Sequence, residues 1–175
     1  MTRMMDWLWK KTERMATGNG FWVLLIYLIV FTVLFQFFAA GYPEKSFDGH
    51  TYGVSPNDVA RILKNFDEHQ QLDQYLRQET ALDLLYPAIY GLFFAVAIVR
   101  MRPKGWHWLV VIPYAAAFFD YCENVSFIAL VLCYESCHAV PLGLAAVASA
   151  ASHLKWAFLL LLIPALGLAF VRRFR

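Results

Sequence analysis

Pro113-Tyr114-Ala115-Ala116-Ala117-Phe118-Phe119-Asp120-Tyr121-Cys122-Glu123-Asn124-Val125-Ser126-Phe127 decides the fold. It belongs to an apolar run long enough to cross a bilayer, yet an aspartate, a glutamate and an asparagine sit near its middle. A charge at the bilayer centre costs roughly 2.5–3.5 kcal/mol on insertion scales, so such residues face a partner or a cavity and mark function. Asp120, Glu123 and Asn124 recur at i, i+3 and i+4, which puts them on one helix face.

The rest of the chain agrees with a membrane setting. Of its 175 residues, 60% are hydrophobic and only 16% charged, against about 25% charged in a soluble domain. The length suits one domain, 1–175. A net charge of +2 with no basic stripe interleaved with aromatics excludes nucleic acid as a partner. There is no P-loop, nucleophile elbow, intramembrane-protease motif or cofactor fingerprint, so no cofactor is expected. Asp48-Gly49-His50 with Glu68 and His69 matches no metal-ligand spacing, and no metal site is assigned.

Four stretches have spanning length, at about 21–40, 80–99, 106–133 and 139–170. The first is longer and bulkier than a signal h-region, so it reads as a retained span. Before it, Arg3, Lys10, Lys11 and Arg14 accompany Trp7 and Trp9, the mark of an interfacial segment with basic tips in water and indoles at the headgroups. Within the polar loop 41–79, Ser55-Pro56-Asn57-Asp58 gives an N-cap, a proline at the first helical position and an acid three residues after the cap. Val59, Ile62, Leu63 and Phe66 follow at i, i+3, i+4 and i+7, one apolar stripe. An amphipathic helix therefore lies over the bundle mouth, and Asp67 with Gln70 caps a second helix leading into span 2.

Charge sets the orientation. The N-terminal segment, the turn Arg100-Met101-Arg102-Pro103-Lys104-Gly105 and the end Arg172, Arg173 and Arg175 are basic, which places them in the cytoplasm. The loop 41–79 has Lys45, Arg61, Lys64 and Arg77 against seven acids, and the 134–138 turn has no Lys or Arg, so both lie outside. The expected architecture is all-α: four transmembrane helices in a bundle, an extracytoplasmic amphipathic helix and both termini cytoplasmic.

Tight hairpins allow depths to be compared. Asp83 and Glu123 are equidistant along the chain from Pro103, so folding spans 2 and 3 brings them level. Asp120 lies about 4.5 Å deeper at helical rise. Folding spans 3 and 4 about Cys137 brings Lys155 near Asp120, and Ser152 and His153 near Glu123. Glu79 and Asp83 share a face at i, i+4. The aromatics Tyr86, Tyr90, Tyr121 and Trp156 fall near this cluster, either bonding to it through their polar tips or lining a ligand pocket. Asp83, Asp120, Glu123 and Lys155 sum to a negative charge, unfavourable in low dielectric unless water enters or a carboxyl takes a proton. An ion pair that only fixes helix register is the structural alternative. Small residues, Ala145, Ala146, Ala148, Ser149, Ala150, Ala151 and Ser152, suit span 4 to close approach. Cys133 and Cys137 flank the outer turn, where an oxidising compartment would permit a disulfide.

Three resemblances follow from these residues. The layout resembles the quinone-linked disulfide-forming membrane proteins, but those carry a cysteine pair in the first outer loop and 41–79 has none, so thiol oxidation is excluded. Asp83-x-x-x-Pro87-x-x-Tyr90, Asp120-x-x-Glu123-Asn124 and Leu154-Lys155-Trp156 together resemble a group of short bacterial four-span proteins, from Ser55 onward; that likeness implies an inner-membrane location and no particular activity. The outer-loop helix above buried carboxylates is similar to the EXPERA membrane proteins, whose sterol isomerases protonate a sterol with an acid. This chain departs from them in having Gln36 and no acid in span 1, and in the acid-to-proline spacing of span 2.

The reading at this level is a bacterial inner-membrane protein whose acidic cavity, in the outer half of the bilayer, binds or processes a small lipid-like or amphiphilic molecule. Asp120 and Glu123 would serve as proton donor or cation binder, Lys155 as electrostatic partner and Asp83 as gate, with Glu79, Asn124, Tyr86, Tyr90, Tyr121, Ser152, His153 and Trp156 lining the site. The alternatives are an accessory subunit whose ion pairs fix helix packing, and a proton or cation pathway. Whether a reaction is catalysed, and with which protein partner or oligomeric state, is left open.

Overall fold

The computed structural model describes residues 2–39, 54–101 and 106–173. All secondary structure among them is helical. The order is α1 (Thr2–Ala16), α2 (Gly20–Ala39), α3 (Pro56–Glu68), α4 (Leu72–Gln78), a π turn (Glu79–Asp83), α5 (Tyr86–Met101), a short 3-10 turn (His107–Val110), α6 (Val111–Cys137) and α7 (Leu142–Arg173). Four helical runs are long and apolar enough to cross a membrane: Gly20–Phe38, Leu72–Met101, His107–Cys137 and Leu142–Val171. The second starts earlier than expected, because α4 and the π turn continue directly into α5. Residues 40–53, Arg102 to Gly105 of the basic turn, and Arg175 lie outside the described residues, and with them Asp48 and His50.

α6 and α7 pack along each other as the central pair, with α5 against α6. Ala145, Ala148, Ser149, Ala151 and Ser152 are buried on α7, while Ala146 and Ala150 face outward. The small buried side chains let the two backbones approach, which in lipid replaces the hydrophobic drive that water would supply. α5 approaches α6 at Gly91, where an added Cβ would lie 2.9 Å from the Ala117 Cβ. α2 rests on α5 through aromatic contacts, Phe21 on Phe93 at 5.2 Å and Phe35 on Tyr86 at 5.0 Å between ring centroids.

The two ends of the bundle are closed differently. At one end α3 lays Val59, Ile62, Leu63 and Phe66 against Phe127, Leu130 and Val131 of α6 and Ala145 and Ala148 of α7. Its start is capped as the sequence requires: the Asp58 backbone N–H donates to Ser55 Oγ at 3.2 Å, with Pro56 at the first helical position. Asp67 does not cap the next helix. α3 runs on through Glu68, and the chain reverses at Gln70, φ 57°, leaving Gln71 at the α4 N-cap with no side-chain cap bond.

At the other end α1 packs on α5 and the 3-10 turn. Of the two indoles, Trp7 is exposed, with the Lys11 ammonium 4.8 Å from its ring centroid. Trp9 is buried, stacked on His107 at 4.2 Å, and the Thr12 and Tyr114 hydroxyls are 2.7 Å apart.

Candidate functional site

α6 turns Asp120, Glu123 and Asn124 inward together, as their spacing on one face demands. α7 meets them with Lys155, which is 4% exposed. Its Nζ lies 3.3 Å from Asp120 Oδ1 and forms a second ion pair with Glu123. The other Asp120 oxygen accepts a hydrogen bond from the Tyr90 hydroxyl at 2.9 Å. One lysine thus holds two carboxylates of the neighbouring helix, and Asp120 is fixed from two sides.

The start of α5 is built differently. In an α-helix the Asp83 carbonyl would accept from the N–H of residue 87, but residue 87 is proline and has none. Asn124 Nδ2 donates to that carbonyl at 2.7 Å instead. The sequence pattern Asp83-x-x-x-Pro87 with Asn124 is therefore one structural device spanning two helices. Just before it the helix widens: the Leu84 N–H bonds to the Glu79 carbonyl at 3.2 Å, a π turn. Such turns occur often at functional sites. This one carries Glu79 and Asp83, both buried.

A cavity of about 440 Å³ opens against these groups. α6 and α7 contribute Asp120, Lys155, Trp156 and Leu159. From the α4–α5 run come Gln78, Asp83, Tyr86, Tyr90 and Phe94, and from α2 come Leu28, Thr32, Phe35 and Gln36. One wall is charged and the others are aromatic or aliphatic. Trp156 Nε1 on the wall and Ser152 Oγ behind it are buried with no hydrogen-bond partner among the described residues.

Of the residues singled out in the sequence, Asp83, Tyr86, Tyr90, Asp120, Lys155 and Trp156 line this cavity. Glu79, Glu123, Asn124 and Ser152 are buried outside its lining. Two do not join. His153 is exposed, its ring Nδ1 2.7 Å from the Ser149 carbonyl. Tyr121 borders a separate apolar groove with Pro87, Ala88 and Gly91. Each is turned off the cavity-lining face of its helix, where a step of one residue is a rotation of about 100°.

Cys133 and Cys137 are free thiols, and the Cys137 thiol donates to the Cys133 carbonyl at 3.1 Å. Helical i, i+4 Cβ atoms lie about 5–6 Å apart, beyond the roughly 3.5–4.5 Å that a disulfide spans. Sequence reasoning missed Gln78 and the α2 wall. For α2 a signal existed: Thr32 and Gln36 sit at i, i+4 as the polar pair of an otherwise apolar helix. No group of three or more His, Cys, Asp or Glu among the described residues is placed to hold a metal ion.

Compared with protein-family models, with curated proteins and with solved structures, the chain gives no match.

Proposed function

We propose that this chain is an integral membrane protein whose acidic cavity binds or processes a small lipid-like or amphiphilic molecule. The observation that carries this reading is the cavity's two-sided lining. Asp83, Asp120 and Lys155 offer charge on one wall, while Leu28, Phe35, Phe94 and Leu159 offer apolar surface on the others. Its volume of about 440 Å³ falls within the roughly 300–1,000 Å³ typical of small-molecule sites. A molecule with a polar end and an apolar body matches both walls at once. In this reading Asp120 is the proton donor or cation binder, held by Tyr90 and Lys155, Glu123 supports it through Lys155, and Asp83 faces the entrance.

We place the protein in a bacterial inner membrane with both termini in the cytoplasm. What supports the orientation is that α1, with Arg3, Lys10, Lys11 and Arg14, packs at the end of the bundle where α5 finishes in Arg100, as the positive-inside rule would have it. α3 then covers the outer end. A second reading has its own support. Lys155 ties α7 to two carboxylates of α6, which is also what an accessory subunit needs to lock its packing.

Native mass spectrometry of the purified protein, wild type beside Asp120→Asn/Glu123→Gln, separates the two. A small molecule held by the wild type and lost by the variant supports the binding site and gives its ligand class. No bound molecule in either, with the variant equally folded, favours the accessory subunit.

A further inference from the structure

Two hollows meet at one side chain. Gln78, the last residue of α4, is 5% exposed. It lines the acidic cavity on one side and a second hollow of about 460 Å³ on the other. The second hollow has a mixed lining: the exposed Gln70, Asp73, Gln74 and Arg77 border it together with Ala81 and Leu82. Phe38 of α2 bounds it too, one helical turn beyond the Phe35 that lines the acidic cavity. The same two helices therefore frame both spaces, and Gln78 is their shared wall.

The local fold sets the position of this wall. The π turn begins at the next residue and ends at Asp83, which lines the acidic cavity. One short segment thus carries the partition and the first carboxylate behind it. A glutamine amide is uncharged yet both donates and accepts. It can pass a hydrogen bond to a polar group on either side without an ion pair being broken, which neither a leucine nor an arginine could do.

We propose that Gln78 is the gate between this outer vestibule, with its exposed Asp73, Gln74 and Arg77, and the acidic cavity, and that it decides which polar groups reach Asp83 and Asp120 from the vestibule side. This rests on the binding reading and names its polar entrance. An apolar body would enter past Leu28 and Leu159 instead.

The test needs no ligand. A water-soluble carbodiimide is applied to the full chain in lipid nanodiscs, and modification of Asp83 is followed by mass spectrometry, with Asp73 in the vestibule as reference. Gln78→Ala should raise the Asp83 rate about tenfold, the effect of a change of roughly 1.4 kcal/mol in an opening equilibrium, with Asp73 unchanged. Gln78→Leu, which fills the same space without the amide, should leave Asp83 at or below the wild-type rate. Equal Asp83 rates in wild type and Gln78→Ala overturn the gate. So does a rise shared by both variants, or one shared by Asp73, since either marks general loosening. If the gate holds while native mass spectrometry finds no bound molecule, the binding reading fails alone. If a molecule is bound and Gln78 has no effect, the gate fails alone.

Discussion

α7 and α2 are both apolar helices of spanning length, yet they belong to the bundle in different ways. α7 presents Ala145, Ala148, Ser149 and Ser152 to α6 and is further tied to it by Lys155. No described residue of α2 is buried, and it leans on α5 through aromatic contacts, Phe21 stacked on Phe93 and Phe35 tilted against Tyr86. Hydrophobicity does not separate them, since lipid tails are as apolar as leucine. Close approach and polar links do. The cavity lies where the two kinds of helix meet, with Lys155 and Trp156 on the tightly held side and Thr32 and Phe35 on the loosely held one. The cavity thus has a fixed polar wall facing a weakly packed apolar one.

The largest effect should come from breaking the tight side. Lys155→Met leaves Asp120 and Glu123 buried without their cation. Removing one partner of a buried pair costs about 3–5 kcal/mol, read as a large fall in unfolding midpoint in detergent. Lys155→Met/Asp120→Asn/Glu123→Gln should regain most of that loss, because neither position 120 nor 123 then carries a charge that has lost its partner. A single variant as stable as wild type would show that α7 is held by its small residues alone.

An intermediate effect is expected at the Asp83 carbonyl. Asn124→Leu keeps side-chain volume and removes the donor, at a cost of about 1–3 kcal/mol for an unsatisfied buried carbonyl. Pro87→Ala in the same chain restores a backbone N–H at residue 87 and should recover stability. If the pair is no better than Asn124→Leu alone, the two residues do not form the device described above, and the link between α5 and α6 lies elsewhere.

These two sites differ in how far the sequence exposes them. The α3 stripe is a local pattern, and all four of its residues are buried. The meeting of Asp120 with Lys155 depends on one short turn, so equal distances along the chain are enough to find it. Hairpin depth tells how far along a helix a residue sits and not which face it occupies, and neighbours differ by about 100°, so Tyr121 and His153 lie outside the cavity lining. The π turn is of another kind. It forms beside a carbonyl bonded to Asn124, a residue on a different helix, so no window around Glu79–Asp83 contains its partner. The α2 wall was hidden because its polar residues, Thr32 and Gln36, carry no charge.

The loose side supplies the smallest effect and the finest test. The Thr32 hydroxyl is 3.3 Å from the Tyr86 hydroxyl and is the one side-chain hydrogen bond described between α2 and α5. It already donates to the Leu28 carbonyl at 2.7 Å, so Tyr86 is a secondary partner at the edge of hydrogen-bonding distance. Thr32→Val keeps the shape and removes the hydroxyl. Exposed substitutions of this kind stay within about 0.5 kcal/mol, and the unfolding midpoint should barely move. A loss comparable to that of Asn124→Leu would mean that α2 is bound to α5 by a polar link after all. The contrast with α7 would then be one of degree, and α2 would be a fixed wall of the cavity. With stability unchanged, α2 is held by apolar and aromatic contacts, Leu28 among them, and such contacts can slide. In that case hydrogen exchange along Gly20–Phe38 should run faster than along α6 in the same sample.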